Sequence, residues 1–151
     1  RVARHPSESI PFFLTRLIAY ALNTQEGLEF SGGISNPDDP ALFVKDATGQ
    51  LQCVIEIGNP SARRLHKASK SAPCVRVYTY RDFEILRREM EGESVHKASA
   101  IEIFALPPSF LTELGTTLER DNRWDFLVTQ KELSITVRDR SLSCEILEHR
   151  L

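Results

Sequence analysis

The strongest constraint on this chain lies at Leu51 to Ile57, where the run LQCVIEI is stopped by Gly58, Asn59 and Pro60. Alternation places Leu51, Cys53, Ile55 and Ile57 on one side and Gln52, Val54 and Glu56 on the other, the period of a β-strand. A carboxylate at the end of a hydrophobic strand loses hydration as the strand is buried, so the fold has to supply a partner or keep that end wet. Upstream, ALFVK and the turn DATGQ make this strand the second arm of a hairpin. Downstream, Ser61 to Ser71 has helical spacing, with Ala62, Leu65, Ala68 and Ala72 inward and Arg63, Arg64, His66, Lys67 and Lys70 on the remaining surface. Pro73 ends that helix, and CVRVYTY (Cys74 to Tyr80) is a second strand, so strand, helix and strand form a parallel crossover.

The flanking segments add a helix before this unit and a mixed tail after it. Ser7 precedes an apolar periodic run, Ile10, Phe13, Leu14, Leu17, Ile18 and Ala21, which predicts a helix to about Asn23 with Glu8 in its dipole-favoured first turn. Pro11 is tolerated there because early amides lack intrahelical acceptors. Gly27 and the pair Gly32-Gly33 bracket a short strand, Leu28 to Phe30, followed by a loop rich in Pro, Asn and Asp. RDFEILRREMEG reads as a helix closed by Gly92, and ASAIEIFALP as a strand. Ser109 is positioned to cap a helix through Leu118, and ERDNRWD forms a polar loop containing Trp124. FLVTQ, LSITVRD and LSCEILEH then alternate as a small antiparallel unit.

A chain of 151 residues suits one domain and buries roughly 70% of its unfolded surface, which is enough for a core without staples. The formal net charge of −2 gives no whole-chain reason for non-specific polyanion or membrane binding, so any such contact has to be local. Cys53, Cys74 and Cys144 are odd in number and form no C-x-x-C, against both a disulfide framework and a zinc knuckle. No apolar run approaches the ~18 residues of a membrane span, and no signal sequence opens the chain. A cytoplasmic protein with no membrane partner is expected. His5, His66, His96 and His149 lack metal-ligand spacing, and no phosphate-cradling glycine loop or nucleophile elbow is present.

The chemistry-bearing residues cluster around the opening strand. A hairpin brings Asp38 and Asp39 toward the Glu56 strand, and the basic helix carries Lys67 back over the same end. Two carboxylates at adjoining strand ends suit Mg²⁺ or Mn²⁺, hard cations that prefer oxygen. A lysine nearby would orient or deprotonate the attacking water, the layout of metal-assisted phosphodiester hydrolysis. A plainer account stands beside this one. Asp38 and Asp39 are ordinary turn formers, Glu56 pairs with an arginine of the following helix, Glu8 is a helix-start acid, and the run from Arg63 to Lys70 is a solvated face.

ARHPSES followed by RLIAYAL, then DDPAL, VIEIGNP, SARRLHKAS and VYTY, in this order, resembles the bacterial YaeQ family. The likeness is close from Ala3 to about Tyr80 and in outline beyond. It implies the α/β (α+β) class: a mixed β-sheet flanked by helices, with a PD-(D/E)XK nuclease-like core and an additional antiparallel β segment. It also implies a single domain over 1–151, with the core at about 5–106, a carboxy-terminal helix and β extension at about 107–151, and an amino-terminal β segment missing from this chain. Residue by residue, Glu8 matches the acid of the P-S-E motif, Asp38 and Asp39 the acidic pair before proline, and Glu56 the strand acid of the nuclease E-x-K motif. Gly58 stands where that motif needs lysine; Lys67 and Arg64 match the lysine and arginine of the family's R-x-x-K-A helix. Arg16 is implied as a charge partner for the acidic cluster.

Two functions fit these residues. One is a metal-dependent nuclease or phosphodiesterase: Asp38 or Asp39 with Glu56 binds Mg²⁺ or Mn²⁺, Glu8 is an additional ligand, and Lys67 assists the water beside Asp39 and Glu56. Arg63, Arg64, Lys67 and Lys70 then receive the phosphates of DNA or RNA. The other is a catalytically inactive nuclease-like scaffold that acts as a nucleic-acid-binding or regulatory interaction module.

Overall fold

The computed structural model describes residues 1–31 and 38–151. Expectations that fall on residues 32–37, Gly32-Gly33 and the start of the proline-rich loop, lie outside the described residues.

Among the described residues, β1 (Leu28–Phe30), β2 (Leu42–Lys45) and β3 (Leu51–Ile57) form an antiparallel meander. Helix α2 (Ala62–Ser71) then crosses to β4 (Cys74–Thr79), parallel to β3, and α3 (Phe83–Met90) crosses to β5 (Glu102–Ala105), parallel to β4. Helix α1 (Ile10–Leu22) precedes this unit, and α4 (Pro108–Gly115) follows it. Strands β6 (Trp124–Thr129), β7 (Glu132–Val137) and β8 (Arg140–Glu145) form a separate three-stranded antiparallel sheet. The last strand, β9 (Leu147–Arg150), returns to pair antiparallel with β5, giving the main mixed sheet the order β1-β2-β3-β4-β5-β9.

Both faces of the main sheet are covered, as its central parallel strands require. On one face Cys53, Ile55, Ile57 and Tyr78 pack with Ala19 of α1. On the other, Val54, Val75, Val77 and Ile103 pack with Leu65 and Ala68 of α2 and with Leu86 and Met90 of α3. Helix α1 buries a second side, Leu14 and Ile18, together with Phe110, Leu111 and Leu114 of α4 and Leu133, Ile135, Val137 and Leu142 of the small sheet. It is therefore a shared wall between the two sheets.

Several expectations change at element ends. Helix α1 is capped by Ser9, whose hydroxyl accepts the Phe12 amide, and not by Ser7; its first turn holds no acid, so Glu8 lies ahead of the cap. Helix α4 begins at Pro108 with no side-chain cap and stops at Gly115, because Pro-Pro presets the entry in place of a Ser109 cap. Trp124 opens β6 and does not sit in a loop. The run LSCEILEH is split: Ile146 is buried at the crossing and Leu147 onward joins the main sheet. Alternation also fails at Leu51, which packs with Val54's cluster, because a register shift at Val44/Lys45 lies opposite it.

Candidate functional site at the strand end

A cavity of about 660 Å³ opens where β3 ends and β2 begins. Its apolar wall includes Phe12, Ala41, Ile57 and Pro60; its polar lining includes Arg4, His5, Glu8, Arg16, Asp39, Glu56, Asn59, Ser61 and Arg64. Two carboxylates there are nearly sealed from water, Glu8 and Glu56, each 4% exposed.

Glu8 is held by a fork. Arg16 Nε donates to Oε2 at 2.8 Å and Arg16 Nη2 to Oε1 at 2.9 Å, while the His5 amide donates to Oε1 at 2.9 Å. Arg16 also donates to the Ala3 carbonyl, Arg4 donates to the Glu8 carbonyl, and the Arg16 guanidinium lies over the Phe30 and Phe13 rings. Reaching from position 8 to position 16, the pair ties the amino-terminal residues to α1. Bidentate geometry and additional backbone donors are what let such a pair tolerate burial.

Glu56 is served from the opposite direction. It shares Val54's side of β3, which faces α2, and Ser61 caps that helix by accepting the Arg64 amide. The Arg64 Nε donates to Glu56 Oε2 at 2.7 Å, and its Nη2 donates to the backbone carbonyl of Asp39. Burial pushes the Glu56 carboxyl above its ordinary value, and the hydrogen bond and charge of Arg64 only partly oppose that rise. One guanidinium thus bridges the end of β3 to the start of β2. Gly58 follows with φ +85° and its amide on the Tyr78 carbonyl, a left-handed turn that favours glycine over the lysine of the nuclease motif.

Glu8, Asp39, Glu56, Arg16 and Arg64 therefore meet around one cavity. Asp38, Arg63, Lys67 and Lys70 are exposed and do not line it. The lining balances Arg4, Arg16 and Arg64 against Glu8, Asp39 and Glu56, and among the described residues no group of three or more His, Cys, Asp or Glu side chains is arranged to hold a metal ion. Both Glu8 oxygens and Glu56 Oε2 accept from guanidinium groups, so a divalent cation there would compete with Arg16 and Arg64 for these carboxylates. Sequence reasoning missed Phe12, His5 and Asn59 as wall residues. Asn59 donates to Glu89 at 2.6 Å while its buried Oδ1 has no partner among the described residues. No spacing signal marks these residues, because a loop and a distant helix bring them in.

Fold and site define a mixed-sheet α+β protein with a charge-balanced cavity at the end of its central strand. The chain belongs to the YaeQ family: residues 1–146 match the family described as YaeQ protein. It is 34% identical over 79 residues to "Uncharacterized protein YaeQ" of Salmonella typhi and, equally, to that of Escherichia coli (strain K12). Those matches cover 52% of this chain and 44% of each relative, less than half of the relatives' length. The YaeQ crystal structure from Xanthomonas axonopodis pv. citri superposes with a TM-score of 0.88 at 26% identity, covering 99% of this chain and 85% of that one. The one from Pseudomonas syringae gives 0.83 at 26% identity, covering 97% and 82%. No helix among the described residues is long and apolar enough to cross a membrane.

Proposed function

We propose that this chain is a nuclease-like scaffold that binds a phosphodiester polyanion, DNA or RNA, without cutting it. The observation that supports this reading is the division of α2 into two faces. Arg64 turns inward onto Glu56 and the Asp39 carbonyl, a fixed cation at the place a metal would take. Arg63, Lys67 and Lys70 are exposed, at positions i, i+4 and i+7, one stripe about 10 Å long on a helix with 1.5 Å rise. A stripe of that length spans several backbone phosphates. Lys67 belongs to this stripe and does not line the cavity.

The co-location of Glu8, Asp39 and Glu56 favours a second reading, a Mg²⁺- or Mn²⁺-dependent phosphodiesterase in which the ion competes with Arg64 for Glu56. The two part in one experiment: binding and integrity of a labelled oligonucleotide in chelator and in Mg²⁺, for wild type and for Glu56→Ala. The binding reading expects equal affinity in both buffers and intact oligonucleotide throughout. Metal-dependent cleavage that disappears in Glu56→Ala would establish the second reading instead.

A further inference from the structure

Away from the cavity, Cys53 of β3 and Cys74 of β4 are direct partners in the parallel register. Their Sγ atoms lie 2.8 Å apart, closer than two sulfurs in ordinary contact, and both thiols are free. Directly paired residues on adjacent strands have Cα atoms about 4.8 Å apart, inside the ~4.4–6.8 Å range that a disulfide spans. The strands therefore need no slip to become linked. Cys53 is buried, whereas Cys74 is half-buried at the mouth of β4. Arg76, two residues along the same face, donates to Asn23 and pairs with Glu102 at 3.4 Å, adding positive charge beside the thiols.

We infer that Cys53 and Cys74 form a peroxide-reactive dithiol, with Cys74 the attacking sulfur and Cys53 the resolving one. Cys53 Sγ donates to Cys74 Sγ. The hydrogen bond from Cys53 holds Cys74 down to about 7, with Arg76 assisting, while the same contact and burial push Cys53 strongly up. Cys144 is pushed up to about 11 by burial and by Glu132, so it is the slow thiol. A thiolate at Cys74 attacks one peroxide oxygen; the O–O bond breaks, water leaves after taking a proton, and a sulfenic acid remains on Cys74. Cys53 sulfur then attacks the Cys74 sulfur, its proton leaves with the departing hydroxide as a second water, and the S–S bond forms. Two thiols are oxidised and one peroxide is reduced. The link joins two positions 21 apart in sequence and encloses α2.

The test uses the full reduced chain, treated with hydrogen peroxide, alkylated, and mapped by mass spectrometry without reduction. The expected result is a Cys53–Cys74 linked peptide, reversed by dithiothreitol, with Cys144 recovered alkylated. In Cys53→Ser, a dione probe should trap sulfenic acid on Cys74. Because that variant could misfold, alkylation of each cysteine of the wild type is followed against pH, and Cys74 should gain reactivity near neutrality, well below Cys144. Recovery of both Cys53 and Cys74 as alkylated thiols, or faster oxidation of Cys144, overturns the inference.

Discussion

Glu8 and Glu56 are equally buried, yet their partners give them different consequences. Glu8 has a bidentate guanidinium whose own side chain is only 13% exposed, so removing either member leaves a charge with little water to receive it. Arg16→Met is expected to cost about 3 kcal/mol or more in urea unfolding, and the double variant Glu8→Leu/Arg16→Met to recover part of that loss. Additive losses would show that the pair is not coupled. Glu56 differs because desolvation outweighs Arg64 and raises its pKa from 4.5. The folded state then holds its proton more tightly than the unfolded chain, so stability is greatest below about 4.5 for this group and falls as pH rises through the folded value. Glu56→Gln should remove that segment of the pH–stability curve, read by denaturant midpoints from acid to neutral pH. An unchanged slope would locate the proton uptake elsewhere.

At the scale of elements, the β2–β3 hairpin, the β3–α2–β4 parallel crossover and the inward face of α2 are legible in sequence, because period-2 and period-3.6 patterns are written in Leu, Ile, Val and Ala. Helix starts are less legible: Ser7 and Ser9 both precede the apolar run of α1, and only the geometry selects Ser9. The destination of β9 is not legible at all, since a strand's pattern records which side is buried and not which sheet provides the neighbour. At the site, Glu56's need for a partner is readable from its strand, and the next helix offers arginines that meet it. That Arg64 also reaches the Asp39 carbonyl is not readable, as it depends on how α2 is set against the sheet. Gly58 belongs to this scale too, because the β3–α2 turn fixes its φ at +85°. Gly58→Lys, which restores the nuclease motif on paper, is expected to destabilise by about 1–2 kcal/mol and to yield no cleavage in an oligonucleotide assay. Gain of metal-dependent cleavage would show that the missing lysine alone separates this scaffold from an enzyme.

The whole molecule is held by α1, which packs Ala19 against the six-stranded sheet and Leu14 and Ile18 into a second apolar cluster with α4 and the small sheet. Leu133 of β7 is fully buried in that cluster, and Leu133→Ala is expected to cost about 3 kcal/mol while leaving a single unfolding transition. Two transitions would mean that the small sheet melts by itself. The same architecture keeps the cavity charge-balanced and leaves the Arg63, Lys67 and Lys70 stripe exposed, so the proposed polyanion binding is testable apart from the cavity. The most direct measurement is the salt dependence of labelled duplex affinity, by fluorescence anisotropy in chelator and in Mg²⁺, for wild type and for the triple variant Arg63→Gln/Lys67→Gln/Lys70→Gln. Phosphate contacts by the stripe predict wild-type binding that is equal in the two buffers, with the triple variant lowering the log–log slope by about 3. Binding that requires Mg²⁺, or a slope unchanged in the triple variant, would contradict the account.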